Sequence, residues 1–130
     1  MIDSHGMAED SSPAALSGRT VLVTGGTGFI ARHLLRALGE AGARAHATTR
    51  GAAPDAFAEA PDARWHSLDL RQADEVSALV RRLEPEVIFH LASHVAGSRD
   101  VDLVLPTLEG NLLSTVNLLR AVASGGGGGP

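Results

Sequence analysis

The stretch Thr20-Val21-Leu22-Val23-Thr24-Gly25-Gly26-Thr27-Gly28-Phe29-Ile30-Ala31 decides the fold. Its first five residues form a continuous run of the kind found in a buried parallel strand. A glycine turn follows. Phe29 to Ala41 then reads as a helix, with Ile30, Leu34, Leu38 and Ala41 on one face, and Gly42 stops it. A turn between such a strand and such a helix has plain physical demands. The chain must reverse tightly, so one glycine takes a conformation closed to other residues. The backbone must come close to a bound pyrophosphate, and Gly28 is read as that point of approach. A small residue, Ala31, lets helix and strand pack closely. The free N–H groups and the positive end of the helix then meet the anion.

Outward from this turn, β-type and helical runs alternate. Ala45 to Thr49 is a second strand, and Gly51 to Pro61 a loop broken by Pro54 and Pro61. Arg64 to Ser67 is a third strand. Asp74 to Leu83 is a helix with Val76, Leu79, Val80 and Leu83 on one face, ended before Pro85. Val87 to His90 is a fourth strand. The last helix begins near Pro106, a favoured first helical position, and runs to about Ala123. This order predicts an α/β fold, a Rossmann-type doubly wound parallel sheet with crossover helices. Only its first half is present, with strand order 3-2-1-4, truncated before the remaining strands. The fourth strand then has an unpaired apolar edge, so the chain is expected to be the N-terminal portion of something longer. Residues 1–18 read as a flexible N-terminal arm, 19–123 as a partial dinucleotide-binding domain and 124–130 (SGGGGGP) as a Gly-rich flexible tail. A plain glycine-rich turn competes with this assignment. So does the turn of a Rossmann-type methyltransferase, which binds no pyrophosphate there.

Composition narrows the function classes. A chain of 130 residues holds one domain at most. With 44% hydrophobic and 20% charged residues it suits a soluble globular domain. The net charge of -4 argues against a nucleic-acid or anionic-membrane partner. No apolar run reaches the ~18 residues of a membrane-spanning helix, and no signal peptide is visible. With no cysteine, disulfides and thiolate metal sites are excluded, and a cytoplasmic location is the default. There is no tyrosine, and all 11 basic residues are arginine. No chemistry needing a Tyr acid or a Lys is carried by these residues, and the lysine-dependent P-loop is excluded. A GC-rich codon bias is the plain cause of the missing lysine.

The motifs resemble those of the extended short-chain dehydrogenase/reductase family, the NAD-dependent epimerase/dehydratase group. That family opens with T-G-x-x-G-F-I-G, and here the string is TGGTGFIA, with Ala31 in place of the last glycine. Asp69-Leu70 is similar to the family's Asp-Leu pair after the third strand. His90-Leu91-Ala92-Ser93 is similar to its H-L-A-A turn, and Asn111 to Leu119 to N-V-x-G-T-x-N-L-L. The resemblance covers roughly Thr20 to Ala123. It implies cofactor contacts at Gly25, Gly26, Thr27, Gly28, Phe29 and Ile30. It also implies adenine held by Asp69 and the Leu70 N–H, and Leu91, Ala92 and Ser93 lining the pyrophosphate and nicotinamide-ribose side. His94, Ser98 and Arg99 fall in the loop facing the substrate mouth, and Asn111 matches a helix Asn of active-site architecture. The family's catalytic Ser/Thr and Tyr-x-x-x-Lys pair lie further on, so no catalytic residue is expected here. The implied parent is an oxidoreductase, epimerase or dehydratase acting on a nucleotide sugar or a related keto or hydroxy substrate. A non-catalytic dinucleotide-binding module or sensor is the alternative. Positions 108, 112, 113, 116, 118, 119 and 122 of the last helix are Leu or Val, wider than one core stripe. A homodimer contact through this helix, or burial under further chain, predicts that pattern equally.

The dinucleotide is read from the end of the second strand. NAD-binding folds place Asp or Glu there for the ribose 2′-OH. Here the stretch is Ala47-Thr48-Thr49-Arg50-Gly51, without an acid. Arg50 supplies a cation for a 2′-phosphate, and the threonine hydroxyls, Thr49 among them, add hydrogen bonds. NADP-using relatives such as the GDP-mannose dehydratases have a similar strand-end arginine. NADP is therefore the expected cofactor and NAD the alternative, with a solvated loop arginine as the competing reading of Arg50. Asp69 reads otherwise as a helix N-cap, His90 as a satisfied core histidine and Trp65 as core packing. No two of the six histidines stand i, i+4 apart on a predicted helix, so no metal is expected.

Overall fold

The computed structural model of the chain describes residues 13–52, 60–94 and 100–125. The four strands are β1 (Thr20–Thr24), β2 (Arg44–Thr49), β3 (Arg64–Ser67) and β4 (Val87–His90). All pair in parallel in the order β3-β2-β1-β4. The helices α1 (Phe29–Glu40) and α2 (Ala73–Leu83) make the crossovers. The central strand β1 is buried almost throughout, which is why its sequence is apolar without alternation. Val21 and Val23 face α1, where Ala31, Leu35 and Leu38 meet them together with Ala45 and Ala47 of β2. On the opposite face, Val76 and Val80 of α2 pack with Leu70, Leu118 and Ala121. The sheet is thus covered on both sides, as a doubly wound fold requires.

Local chemistry ends these elements where the sequence indicated. Gly42 takes φ +77° just past α1. Its N–H donates to the Gly39 carbonyl and that of Ala43 to Leu38, the Schellman pattern that releases a chain from a helix. The first turn of α2 carries Asp74 and Glu75 and its last turn Arg81 and Arg82, matching the helix dipole at both ends.

Three features differ from expectation. Residues 13–18 of the expected arm have structure: Pro13–Leu16 form a 3-10 turn, Leu16 packs on the core, and the Gly18 N–H donates to Gly42. The last helix starts earlier than Pro106 and is not uniform. A 3-10 turn (Val101–Leu103), capped by the Asp100 carboxylate on the Asp102 N–H, leads into α3 (Val104–Leu108). A π-turn (Glu109–Leu113) then joins α3 to α4 (Ser114–Gly125), which continues two residues beyond Ala123. The seven Leu and Val positions read as a wide apolar face do not differ in this way: Leu118 is buried, and Leu108, Leu112, Leu113, Val116, Leu119 and Val122 are exposed. Residues 1–12, most of the 51–61 loop, Ser98, Arg99 and residues 126–130 lie outside the described residues. No helix among those described is long and apolar enough to cross a membrane.

The β1–α1 turn is held from two sides. The Gly26 N–H donates to the Thr48 carbonyl (2.8 Å) and the Gly25 N–H to the Thr48 hydroxyl (3.3 Å), tying the turn to β2. On the other side, Gly25 lies against the chain leaving β4. A Cβ on Gly25 would stand 2.7 Å from Ala92 Cα and 2.8 Å from its nitrogen, and Gly25 has φ +69°. Gly28, expected to be the critical glycine, has φ -69°, and a Cβ there would meet only the Gly25 carbonyl oxygen, at 3.3 Å. Gly25→Ala should therefore lower unfolding stability by more than the ~1–2 kcal/mol of a left-handed residue alone, because the clash is with backbone. Gly28→Ala should cost clearly less. Urea denaturation of both variants checks this, and equal losses would contradict it.

Candidate functional site

At the carboxyl ends of the four strands lies a cavity of about 260 Å³. The β1–α1 turn contributes Gly25, Thr27 and Gly28, and the end of β2 contributes Thr48, Thr49 and Arg50. Leu68 to Arg71 after β3, Leu91 to His94 after β4, and Gly110 and Ser114 complete the lining. Open α/β sheets bind ligands at this place, outside the strand ends where the strand order reverses. Of the residues singled out from sequence, Gly25, Thr27, Gly28, Thr49, Arg50, Asp69, Leu70, Leu91, Ala92 and Ser93 come together here. Three do not. Phe29 and Ile30 point to solvent from the first turn of α1, 77% and 67% exposed. Gly26 faces away, toward Trp65 and Ala47; a Cβ there would stand 2.7 Å from the Trp65 ring. Its lack of a side chain serves packing on the α1 side of the sheet.

No side chain caps α1 at Gly28, so the N–H groups of its first turn have no side-chain acceptor. A helix start in that state is suited to an anion. Arg50, just past the end of β2, lines the same cavity; among the described residues its guanidinium forms no hydrogen bond or ion pair, and its charge acts on Asp69. The second cavity arginine, Arg71, went unnoticed in the sequence. It is tied to Asp69 in a fork, with Nε 3.0 Å from Oδ1 and Nη2 2.7 Å from Oδ2, and lies 3.6 Å from Glu109 on the π-turn. Hydrogen bonding to Arg71 holds the Asp69 carboxyl below the usual carboxylate range. Asp69 is not the cap of α2; Gln72 takes that position. The Thr48 hydroxyl, expected to face a phosphate, is occupied by the Gly25 N–H, and the Thr49 hydroxyl accepts from the Gly51 N–H at 3.3 Å.

The β4 end is locked by hydroxyls. Thr24 Oγ1 accepts from the Leu91 and Ala92 N–H groups (3.1 and 3.2 Å) and lies 2.7 Å from His90 Nδ1. His90 Nε2 meets Thr115 Oγ1 at 3.0 Å, and Thr115 donates to the Asn111 carbonyl at 2.6 Å. With two donors already on Thr24 Oγ1, its proton goes to Nδ1, so His90 is the neutral Nε2–H tautomer. Burial pushes its pKa down, consistent with that state. His90 is thus the satisfied core histidine expected from sequence. Asn111 has a distinct job: its side chain accepts from the His94 N–H at 2.6 Å and donates to the His94 carbonyl at 3.1 Å.

The model of the NAD dependent epimerase/dehydratase family matches residues 21–127. The chain belongs to this family. Among solved structures, it is similar to the epimerase Mth375 of Methanothermobacter thermautotrophicus, with 25% identity and a TM-score of 0.75 over 88% of this chain and 34% of that one. It is similar also to the UDP-glucose 4-epimerase of Thermus thermophilus in complex with NAD, at 30% identity and TM-score 0.71, over 82% and 34% of the two chains. A UDP-glucose 4-epimerase of Stenotrophomonas maltophila, solved with NAD and formylated UDP-arabinopyranose, shares the fold at 22% identity and TM-score 0.72, over 83% and 34%. The chain spans about a third of the length of each of these structures. No curated protein sequence matches it.

This family member carries a clear pH signature. Burial lowers the pKa of His90 below 6.5. The same holds for His46 and His66, whose rings meet at 2.9 Å among Arg44, Arg64 and Arg82. The unfolded chain then takes up protons that the folded one does not. Stability is fully present above about pH 6.5 and is lost as pH falls through the lowered folded values. Denaturation series at about pH 7.5, 6.5 and 5.5 should show a falling unfolding free energy; a flat profile would contradict neutral histidines in the fold.

Proposed function

We propose that this chain binds NADP as the cofactor-binding part of an epimerase, dehydratase or ketoreductase. The observation that carries the proposal is Arg50: a guanidinium with no bonded partner among the described residues, at the cavity end of β2, where an NAD site has an acid. A 2′-phosphate placed there gains a charge-assisted hydrogen bond. The remaining lining fits a dinucleotide. The uncapped first turn of α1 offers N–H groups to a pyrophosphate. Gly25 and Gly28 line that space with backbone alone. Asp69, ionised through its pairing with Arg71, accepts from the adenine amino group, and the Leu70 N–H meets a ring nitrogen. Leu91, Ala92 and Ser93 line the other half of the cofactor.

In this reading the chain positions the cofactor and excludes water from one side of it. Once bound, the nicotinamide supplies the hydride donor and acceptor. Tyr and Lys are absent from these 130 residues, so the Tyr acid/base and its Lys partner of this family are not supplied by them. The substrate of the whole enzyme is proposed as a nucleotide sugar or a related keto or hydroxy compound. Support comes from the family match and from the UDP-sugar epimerases among the similar structures.

Titration with NADPH and NADH tests the cofactor. Arg50→Ala should cost about 1.5–3 kcal/mol of NADPH binding and little with NADH. Equal losses would remove the role given to Arg50. The purified chain alone, given NADPH and keto-sugars, should stay at background turnover. NADPH oxidation that persists through repurification would show that the chemistry does not depend on Tyr and Lys.

A further inference from the structure

Among the described residues, one buried side-chain polar atom has no hydrogen-bond partner: Nε2 of His94, a residue of the cavity wall. Folded proteins rarely leave such an atom unanswered, because its lost hydration is not replaced. Nor is the unpaired state general among these histidines. Both ring nitrogens of His90 are engaged, and His46 and His66 meet each other.

The rest of His94 is held firmly. The Asn111 side chain grips its backbone at both the N–H and the carbonyl. Its side chain lies directly on Gly110, where a Cβ would stand 2.6 Å from His94 Cβ. Gly110 and Asn111 are neighbours in the π-turn, so this irregular turn builds the seat in which the imidazole rests. Such turns often mark functional sites. An imidazole seated in this way on a bonded backbone, with Nε2 unpaired among the described residues, is preorganised for a partner that arrives from outside the chain.

Its place along the sheet says which partner. Arg50 and Asp69 stand at the ends of β2 and β3, the glycine turn follows β1, and His94 follows β4. A dinucleotide laid across this strand order puts its adenosine over β2 and β3 and its pyrophosphate at the β1 turn. Its second ribose then lies toward β4. A neutral imidazole nitrogen donates or accepts according to tautomer, and a ribose hydroxyl does both. We infer that His94 Nε2 forms a hydrogen bond with a hydroxyl of the nicotinamide ribose, which makes His94 a cofactor-binding residue. This rests on the dinucleotide reading given above and adds a residue to it.

The experiment compares two ligands on the full 130-residue chain: NADPH, and adenosine 2′,5′-bisphosphate, which has the adenosine half alone. His94→Ala should weaken NADPH about five- to tenfold, the scale of one hydrogen bond. His94→Gln, whose amide reaches a similar point, should recover part of that loss. The bisphosphate should bind both variants as it binds the wild type, which also reports that they are folded. In the ¹⁵N-labelled wild-type chain, the His94 Nε2 resonance should move with NADPH and stay still with the bisphosphate. An unmoved resonance in a chain saturated with NADPH overturns the role of His94, however the variants fold. So does wild-type NADPH affinity in His94→Ala. A wild-type chain that binds neither ligand overturns the dinucleotide reading itself, and the role of His94 with it.

Discussion

The backbone of Gly25 runs so close to that of Ala92 that no side chain fits between them. This contact joins the chain leaving β1 to the chain leaving β4, and the rest of the site is arranged around it. Thr24 Oγ1, one residue earlier, takes the N–H groups of Leu91 and Ala92 and fixes their direction. His90 bridges Thr24 to Thr115, and Thr115 reaches the carbonyl of Asn111. Asn111 in turn grips His94. Glycine turn, β4 exit and π-turn therefore form one hydrogen-bonded unit. The cavity keeps its shape because its walls are bonded to one another through β1.

Charge around the cavity divides by partnership. Arg71 has its charge answered by Asp69 and lies near Glu109, so it links the β3 exit to the π-turn. In doing so it holds the Asp69 carboxyl below the usual carboxylate range. Arg50 forms no hydrogen bond or ion pair among the described residues, although its charge also acts on Asp69, and it lines the cavity together with Gly28 at the start of α1. For the 2′-phosphate proposed above, Arg50 is the cation of this wall without a bonded partner among the described residues. Two arginines of the same wall are thereby distinguished by their neighbours: Arg71 is a fastening, and Arg50 is left available for the role proposed for it.

The helical layer beyond β4 shows how far tertiary contacts bend local preference. The sequence from about Pro106 to about Ala123 reads as one helix. The structure places a π-turn within it, where the Thr115 hydroxyl bonds the Asn111 carbonyl and Gly110 admits the His94 side chain. On α4, Ser114, Asn117, Leu118 and Ala121 face inward. Asn117 turns inward to donate to the Leu70 carbonyl, while several leucines stay exposed. A polar side chain is buried here because a backbone carbonyl at the β3 exit needs a donor.

Strands, crossovers and sheet order were legible in the sequence because they follow from period and punctuation. The TVLVT run is apolar without alternation, the α1 and α2 faces repeat at helical spacing, and Gly42 and Pro85 stand where helices end. The glycine turn and Arg50 could be singled out the same way, since each sits at a strand end, whereas Asp69 and Leu91 to Ser93 came only from the resemblance to the family's motifs. The work done by each glycine was not legible. Gly25 carries the positive φ and the close approach, and Gly26 gives way to Trp65 from β3, because both depend on strands far away in sequence. The Arg71 fork, the Thr48 strap, the π-turn and the His94 seat share that property. Local pattern dictates where the chain bends and which face is apolar. Which polar group answers which, and which is left unanswered at the cavity, is decided only when β1, β2, β3 and β4 bring their carboxyl ends together.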